Sequence, residues 1–387
     1  MKKNDSGDLE LNSPPMRAKA LLTVLTGGSE KFLCSRPSVV LSKLSALLEG
    51  GSGNLCVVSD FDRTITALNS RSSHGVVEQV DVIKTHPGFS EVVTANSKHY
   101  YPIEVDPKLS IQEKLPFMVE WYTKVSARLR QGVPLRHDVP SGASLRVSPF
   151  SPSAGDIYVV RALCLHERLS SPLKPASLFL SLSLPPSLPT YLFTNSTTLK
   201  NHAEMCKVGI TKGMITEVVE SGGGVTMRDG ADEVIDVIEK NGVPLLIFSA
   251  GLADVIEEVL QWKLRRRLGS KTKVVSNRMI FDKENVLVGV SEPLIHMFNK
   301  NLGAVPQELQ PKRKNVLLLG DGMGDVTMAD GGSAQLETVL KIGFLNKQVQ
   351  ENHEKYDQAY DILITDDSGM KPVETILKEV LKVADEN

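Results

Sequence analysis

Three stretches of the chain are apolar throughout and then stop at small or polar residues. Leu55 to Val58 leads into Ser59 and Asp60, Pro244 to Phe248 into Ser249, Ala250 and Gly251, and Val316 to Leu319 into Gly320 and Asp321. A strand with one wet face alternates apolar and polar residues, whereas a strand buried on both faces of a parallel sheet reads as a continuous Val/Ile/Leu run. Thr272 to Val275, Leu340 to Leu345 and Tyr360 to Ile364 are weaker runs of the same kind. Between them lie helix-like patterns, Ala253 to Leu260 and Pro372 to Val383. Strand alternating with helix predicts an α/β fold with a parallel sheet covered on both faces. Ligands bind such sheets at the carboxyl ends of the strands, so chemistry is expected at Asp60, Ser249 and Asp321.

The next strong strand after Leu55 to Val58 begins only at Pro244, far beyond the reach of one crossover. The pattern predicts an excursion that forms a second domain. Its best-organised part is His99 to Val125, a Pro-bounded turn followed by an amphipathic helix carrying Leu115, Met118, Trp121 and Tyr122. From about 131 to 199 the texture changes to a Pro/Ser/Leu-rich stretch. Its prolines between Pro172 and Pro189 argue against a central strand and predict poor order. The expected organisation is a polar, disordered 1–15, an α/β core of 16–68 and 240–387, and an inserted domain of 69–239 that contains the atypical insert at about 131–199.

Composition narrows the class. In 387 residues, 41% are hydrophobic and 23% charged, which excludes wholesale disorder. With 44 Lys and Arg against 46 Asp and Glu, the net charge of −2 supplies no global field for a nucleic acid polymer or an anionic membrane. Any anionic ligand must be held by a local site. Cys34, Cys56, Cys164 and Cys206 lie far apart, without zinc spacing or disulfide density, and no apolar run is long enough to span a bilayer. The expectation is a reduced, cytoplasmic protein, with the basic, mildly apolar stretch Met16 to Leu25 leaving an organelle transit signal open. Oligomeric state is not readable.

Four local patterns carry chemistry, and each has a plain alternative. Asp60 and Asp62 stand two apart past a buried strand, followed by Thr64, and can share a cation or a phosphate; they can also merely open a loop and cap a helix. Ser249 with Gly251 suits a phosphate oxygen or is a simple N-cap. Asp321 and Asp325, four apart among glycines, offer oxygens to magnesium or form an ordinary turn. Lys300 supplies the cation that an anionic nucleophile facing an anionic substrate requires, or is a solvated lysine. His296 and His202 read as helix-face or core residues.

Taken in order, DxDxT, Ser after a strand, Lys and GDxxxD resemble the haloacid dehalogenase-like superfamily. More narrowly, SDFDRTIT, YYPIEVDP, MVEWYTK, PLLIFSAGLADVIEEVL, VVSNRMIFD, LIHMFNKN, GDGMGDVTMADG and KIGFLN resemble the cytosolic pyrimidine 5′-nucleotidase family. The resemblance implies a Rossmann-like core with a mainly helical cap and magnesium-dependent hydrolysis of UMP and CMP to nucleoside and phosphate. It implies Asp60 as nucleophile, forming an aspartyl-phosphate, and Asp62 as acid and then base. Thr64, Ser249, Ala250, Gly251 and Lys300 would hold the phosphate. Asp60, the Asp62 carbonyl, Asp321 and Asp325 would hold Mg2+, and Glu104 and Tyr122 would meet the base. The chain departs from the family after Lys124, where it reads Val125-Ser126-Ala127-Arg128-Leu129, and at Gly322, where the family commonly has a polar residue. Another small phosphate ester as substrate, or a silent isoform that binds ligand behind a disrupted cap, are the competing readings.

Overall fold

The computed structural model describes residues 13–27, 31–85, 205–297 and 299–382, with positions 98, 99, 102, 103, 106, 109 and 113. Residues 123–192 lie outside them, as does nearly all of the helix expected within His99 to Val125. In chain order the described elements begin with α1 (Pro14–Gly27), β1 (Phe32–Leu33), α2 (Pro37–Asn54) and β2 (Leu55–Ser59). Short helices α3 (Ser73–Val77) and α4 (Asp81–Thr85) follow, then α5 (Lys212–Glu220), α6 (Ala231–Lys240), β3 (Leu245–Leu252) and α7 (Ala253–Leu264). β4 (Thr272–Asn277) precedes a hairpin of β5 (Met279–Phe281) and β6 (Leu287–Val290). β7 (Asn315–Gly320), β8 (Thr338–Leu345), α8 (Val349–Ala359), β9 (Ile362–Thr365) and α9 (Lys371–Leu381) complete the series.

Seven strands form one sheet in the order β1-β9-β8-β7-β2-β3-β4. All pairs are parallel except β1 with β9. The chain moves outward from β2 to β3 and β4, then restarts on the other side of β2 with β7, β8 and β9. β2 is therefore the topological switch point, where the loops leaving adjacent strands diverge and open a crevice.

The two-sided burial that the apolar runs predict is present. Along β2, Leu55 and Val57 enter one core with Leu317, Leu319 and Ile342, under α1, α2, α6, α7 and α9. Cys56 and Val58 enter a second core with Leu246, Phe248 and Leu318, covered by Tyr360 and by loop residues Ile295, Leu302 and Met328. Each such buried side chain stabilises the fold by about 2 kcal/mol, and Leu317→Ala would cost about 2–5 kcal/mol because both sides of its strand are closed.

Three features differ from the sequence reading. β3 does not stop at Phe248 but continues through Ser249, Ala250 and Gly251 to Leu252. A register shift between Phe248 and Leu252 lets Leu252 pair with Asn277. Met16 to Leu25 forms most of α1, whose Ala18, Leu21, Leu22 and Leu25 are buried and whose Arg17 pairs with Glu379 at 2.6 Å; it is a structural helix of the core. The antiparallel edge strand β1 is too short to show a period. Among the described residues Cys34, Cys56 and Cys206 are free thiols, and no helix is long and apolar enough to cross a membrane.

Candidate active site

Asp60 follows β2 directly, and its N–H donates to Leu319 O at 2.9 Å, so the β2–β7 pairing carries it to the end of β7. Asp321 follows β7. Asp325, at the start of a one-turn 3₁₀ helix, folds back on the same loop: its Oδ2 accepts from Asp321 N–H at 3.0 Å and Gly322 N–H at 2.8 Å. That return needs a glycine at 320, because a Cβ there would lie 2.4 Å from Asp325 Cβ. Tyr356 and Tyr360 brace the turn by donating their hydroxyls to Asp321 O at 2.8 Å and Gly322 O at 2.5 Å. As a result, carboxylate oxygens of Asp60, Asp321 and Asp325 lie within 4.8 Å of one another.

Lys300, 4% exposed, reaches this cluster from a loop between β6 and β7. Its Nζ donates to Asp60 Oδ1 and to Asp325 Oδ1, the latter at 2.6 Å. Burial favours the neutral amine, but Asp325 and Asp60 outweigh it and hold the ammonium above its ordinary pKa. Burial, with the neighbouring carboxylates, pushes Asp60 and Asp321 upward, and Lys300 only partly opposes this. Three carboxylates against one ammonium leave an excess of negative charge, built from hard oxygen donors. That donor set fits a divalent cation such as magnesium. The Lys300 loop is aligned by Asn277, buried at the end of β4. Its Nδ2 donates to Ala250 O at 2.8 Å and Ile295 O at 2.9 Å, while its Oδ1 accepts from Ile295 N–H at 2.7 Å.

Asp62 points to a different partner set. Its Oδ1 accepts from Ser73 N–H at 3.1 Å and its Oδ2 from the Ser73 hydroxyl at 3.5 Å. Burial pushes its carboxyl up to about 6, against the Ser73 N–H and the nearby Arg63. A group poised there can both give and take a proton near neutrality. Ser73 Oγ also accepts from Leu252 N–H at 3.1 Å, and Gly251 is demanded by this contact, since a Cβ would sit 2.1 Å from that oxygen. Gly251 N–H donates to Ser249 Oγ at 3.1 Å, so its N–H is engaged inside the strand end rather than exposed on a sharp turn. Thr64 is fully buried, and its Oγ1 has no hydrogen-bond partner among the described residues, as an oxygen awaiting an acceptor or donor would be.

The structure thus brings Asp60, Asp321, Asp325 and Lys300 into one cluster and seats Ser249, Ala250 and Gly251 on the adjoining strand. Glu104 and Tyr122 lie outside the described residues, as does His202. His296 is buried. Sequence reasoning passed over Asn277, Ser73 and Arg228. Asn277 carries the very signal used elsewhere, a polar residue ending an apolar run. Ser73 and Arg228 carry none, because their partners are distant in the chain.

The profile of the family described as pyrimidine 5′-nucleotidase (UMPH-1) matches residues 62–140 and 191–381. The 7-methylguanosine phosphate-specific 5′-nucleotidase of Gallus gallus is 32% identical over 356 residues, which cover 89% of this chain and 94% of that protein. The Homo sapiens protein of the same description is 30% identical over 359 residues, covering 90% and 92%. Among solved structures, cytosolic 5′-nucleotidase IIIB bound to cytidine superposes with a TM-score of 0.63 at 25% identity, over 94% of this chain and 97% of that one.

Proposed function

The chain belongs to the pyrimidine 5′-nucleotidase (UMPH-1) family, and from that premise we propose that it hydrolyses the pyrimidine nucleoside monophosphates UMP and CMP through an aspartyl-phosphate on Asp60. It is a 5′-nucleotidase, a phosphoric monoester hydrolase with a haloacid dehalogenase-like fold. The observation that carries the mechanism is the meeting of Asp60 and Asp325 on the buried Lys300 Nζ at the switch point of the sheet.

In the first step a carboxylate oxygen of Asp60 bonds to phosphorus while the P–O5′ bond breaks, and Asp62 delivers its proton to the departing ribose oxygen. In the second, Asp62 takes a proton from a water molecule whose oxygen attacks phosphorus, releasing phosphate and restoring the Asp60 carboxylate. Lys300, Thr64 Oγ1, Ser249 Oγ and the neighbouring main chain at Ala250 orient the phosphoryl oxygens and oppose their charge, with the Gly251 N–H holding Ser249 Oγ. Asp60, Asp321 and Asp325, with the Asp62 carbonyl, would hold magnesium. When bound, the ion offsets the carboxylate charge and polarises the phosphoryl oxygens, so that an anionic nucleophile can approach an anionic ester. The cap of 69–239, with Glu104 and Tyr122, would select the base, and the reaction would take place in the cytoplasm.

Support for the pyrimidine reading is the family description and the cytidine-bound relative. A second reading, 7-methylguanosine monophosphate, is favoured by the descriptions of the 30–32% identical relatives. Phosphate release is to be measured from UMP, CMP, 7-methylguanosine monophosphate and an unrelated sugar phosphate, with magnesium and with a chelator. Preferred turnover of UMP and CMP, lost on chelation, is expected. Turnover of the methylated purine alone moves the assignment to the second reading, and equal turnover of all four removes base selection.

A further inference from the structure

The segment leaving the core after Thr64 and the segment returning to it before α6 lie side by side. Ala67 N–H donates to Thr226 O at 2.9 Å, Arg228 N–H donates to Ile65 O at 2.9 Å, and Thr66 bridges Met227 in antiparallel fashion. From the returning segment Arg228 sends a guanidinium into the protein, 1% exposed, with Cζ 4.3 Å from the centre of the Phe344 ring. Its Nε–H donates to Thr64 O at 2.8 Å. Nη1 donates to Ser368 O at 2.8 Å and Asp367 Oδ1 at 3.1 Å, and Nη2 to Arg63 O and to Asn346 Oδ1, the latter at 3.1 Å. Five N–H donors thus meet five acceptors.

A buried guanidinium is a poor way to fill space, since an apolar side chain of similar volume would avoid its desolvation. What the arginine supplies is a planar fork that fixes two successive carbonyls at once. Those carbonyls belong to Arg63 and Thr64, the two residues after Asp62. Arg63 sits at φ +62°, in the left-handed region that a side chain with a Cβ occupies only when its surroundings dictate it. Asn346 Nδ2 donates to the same Arg63 carbonyl at 3.0 Å. We infer that Arg228 is a positioning residue for Asp62 and Thr64: by clamping the carbonyls of Arg63 and Thr64 it fixes the turn that aims the acid. The inference rests on the assignment of Asp62 as proton donor in the proposed function. Because Arg228 lies on the returning segment, the aim of the acid depends on where that segment runs.

The test compares leaving groups. With enzyme in excess, the first release step is timed for CMP, whose ribose oxygen needs a proton, and for 4-nitrophenyl phosphate, whose phenolate departs without one. Asp62→Asn sets the reference, with CMP slowed strongly and the aryl ester little. Arg228→Met, which keeps a long side chain against Phe344, is expected to show the same signature: release from CMP down about 100-fold, as for a displaced catalytic group, and from the aryl ester by no more than about threefold. Arg228→Lys should fall between, because an ammonium lacks the fork. Equal slowing of both esters, or of neither, in Arg228→Met overturns the inference. Should that variant not fold, Asn346→Ala removes the other donor to Arg63 O, and it must show the same signature more weakly; equal slowing or none overturns the inference there too. If Asp62→Asn itself slows both esters alike, the proton-donor assignment fails first, and the inference falls with it.

Discussion

Asp60 and Asp62 are two residues apart, yet they belong to different halves of the site. Asp60 sits in the half built on the sheet, where Asp321, Asp325 and Lys300 arrive from strand ends and share charge at close range. Asp62 belongs to the half built on the segments that leave and re-enter the core, where Ser73 donates to its carboxylate and Arg228 holds the carbonyls of the two residues that follow it. In the first environment burial and two further carboxylates push Asp60 up to about 7, with Lys300 opposing; in the second, burial pushes the single Asp62 carboxyl up to about 6, against the Ser73 N–H. On the proposed mechanism the difference in partners, not in titration alone, separates a nucleophile from a proton carrier.

The largest effect should come from breaking the sheet-built half at its centre. On the proposed mechanism Asp60→Asn replaces the attacking carboxylate, so phosphate release should fall on the order of 10⁴-fold. The loss should be the same for CMP and for an aryl phosphate, because bond formation to phosphorus is needed whatever leaves. An Asp60→Asn enzyme that still turned over the aryl ester would merge the two halves into one function and break the comparison.

Next in size is Lys300→Met. Removing the ammonium leaves Asp60 and Asp325 buried without their common cation, which should lower stability by about 3–5 kcal/mol in a chelated buffer. Magnesium should restore part of that loss in a thermal melt, since an ion that binds the folded state stabilises it by mass action. Asp62→Asn should show no such magnesium-dependent recovery, because its partners are Ser73 and the backbone. A Lys300→Met protein that melts like the parent with and without magnesium would deny that the sheet-built half is electrostatically concentrated.

The halves also differ in how far they could be read before folding. Asp60, Ser249 and Asp321 announced themselves because each ends an apolar run, and burial on both faces of β2, β3 and β7 is what makes those runs continuous. The length of β3 was misread, since Ser249-Ala250-Gly251 looks like a loop; its extension depends on β4 and on the space Ser73 leaves for Gly251. Lys300 ends no apolar run and was legible only as the cation that a cluster of acids facing an anionic substrate requires. β1 was invisible, because the two residues that pair with β9 are too few to show a period. Of the linker-built half, only Asp62 and Thr64 could be read, from their places two and four residues after Asp60. Ser73 meets Asp62 across a turn, and Arg228 meets Arg63 and Thr64 only because the excursion returns beside its own start, a coincidence in space that no spacing in the chain encodes.

The smallest effect concerns the two histidines that flank these halves, His296 on the loop leading to Lys300 and His74 beside Ser73. Burial lowers both to about 4. A histidine whose folded pKa lies below its unfolded value of about 6.5 takes up its proton more readily in the unfolded chain. Its contribution to stability is therefore complete above pH 6.5 and is lost as pH falls toward 4. For His296, 4% exposed, the step from pH 6.5 to 5.5 should remove about 1 kcal/mol. His296→Gln should flatten the unfolding curve over that interval by the same amount. His74 is lowered to the same value by the same cause, so His74→Gln should flatten it by a similar amount. Denaturant melts of the parent and both variants at the two pH values check this. If neither substitution flattened the curve, burial beside the two halves would not be what holds these imidazoles neutral.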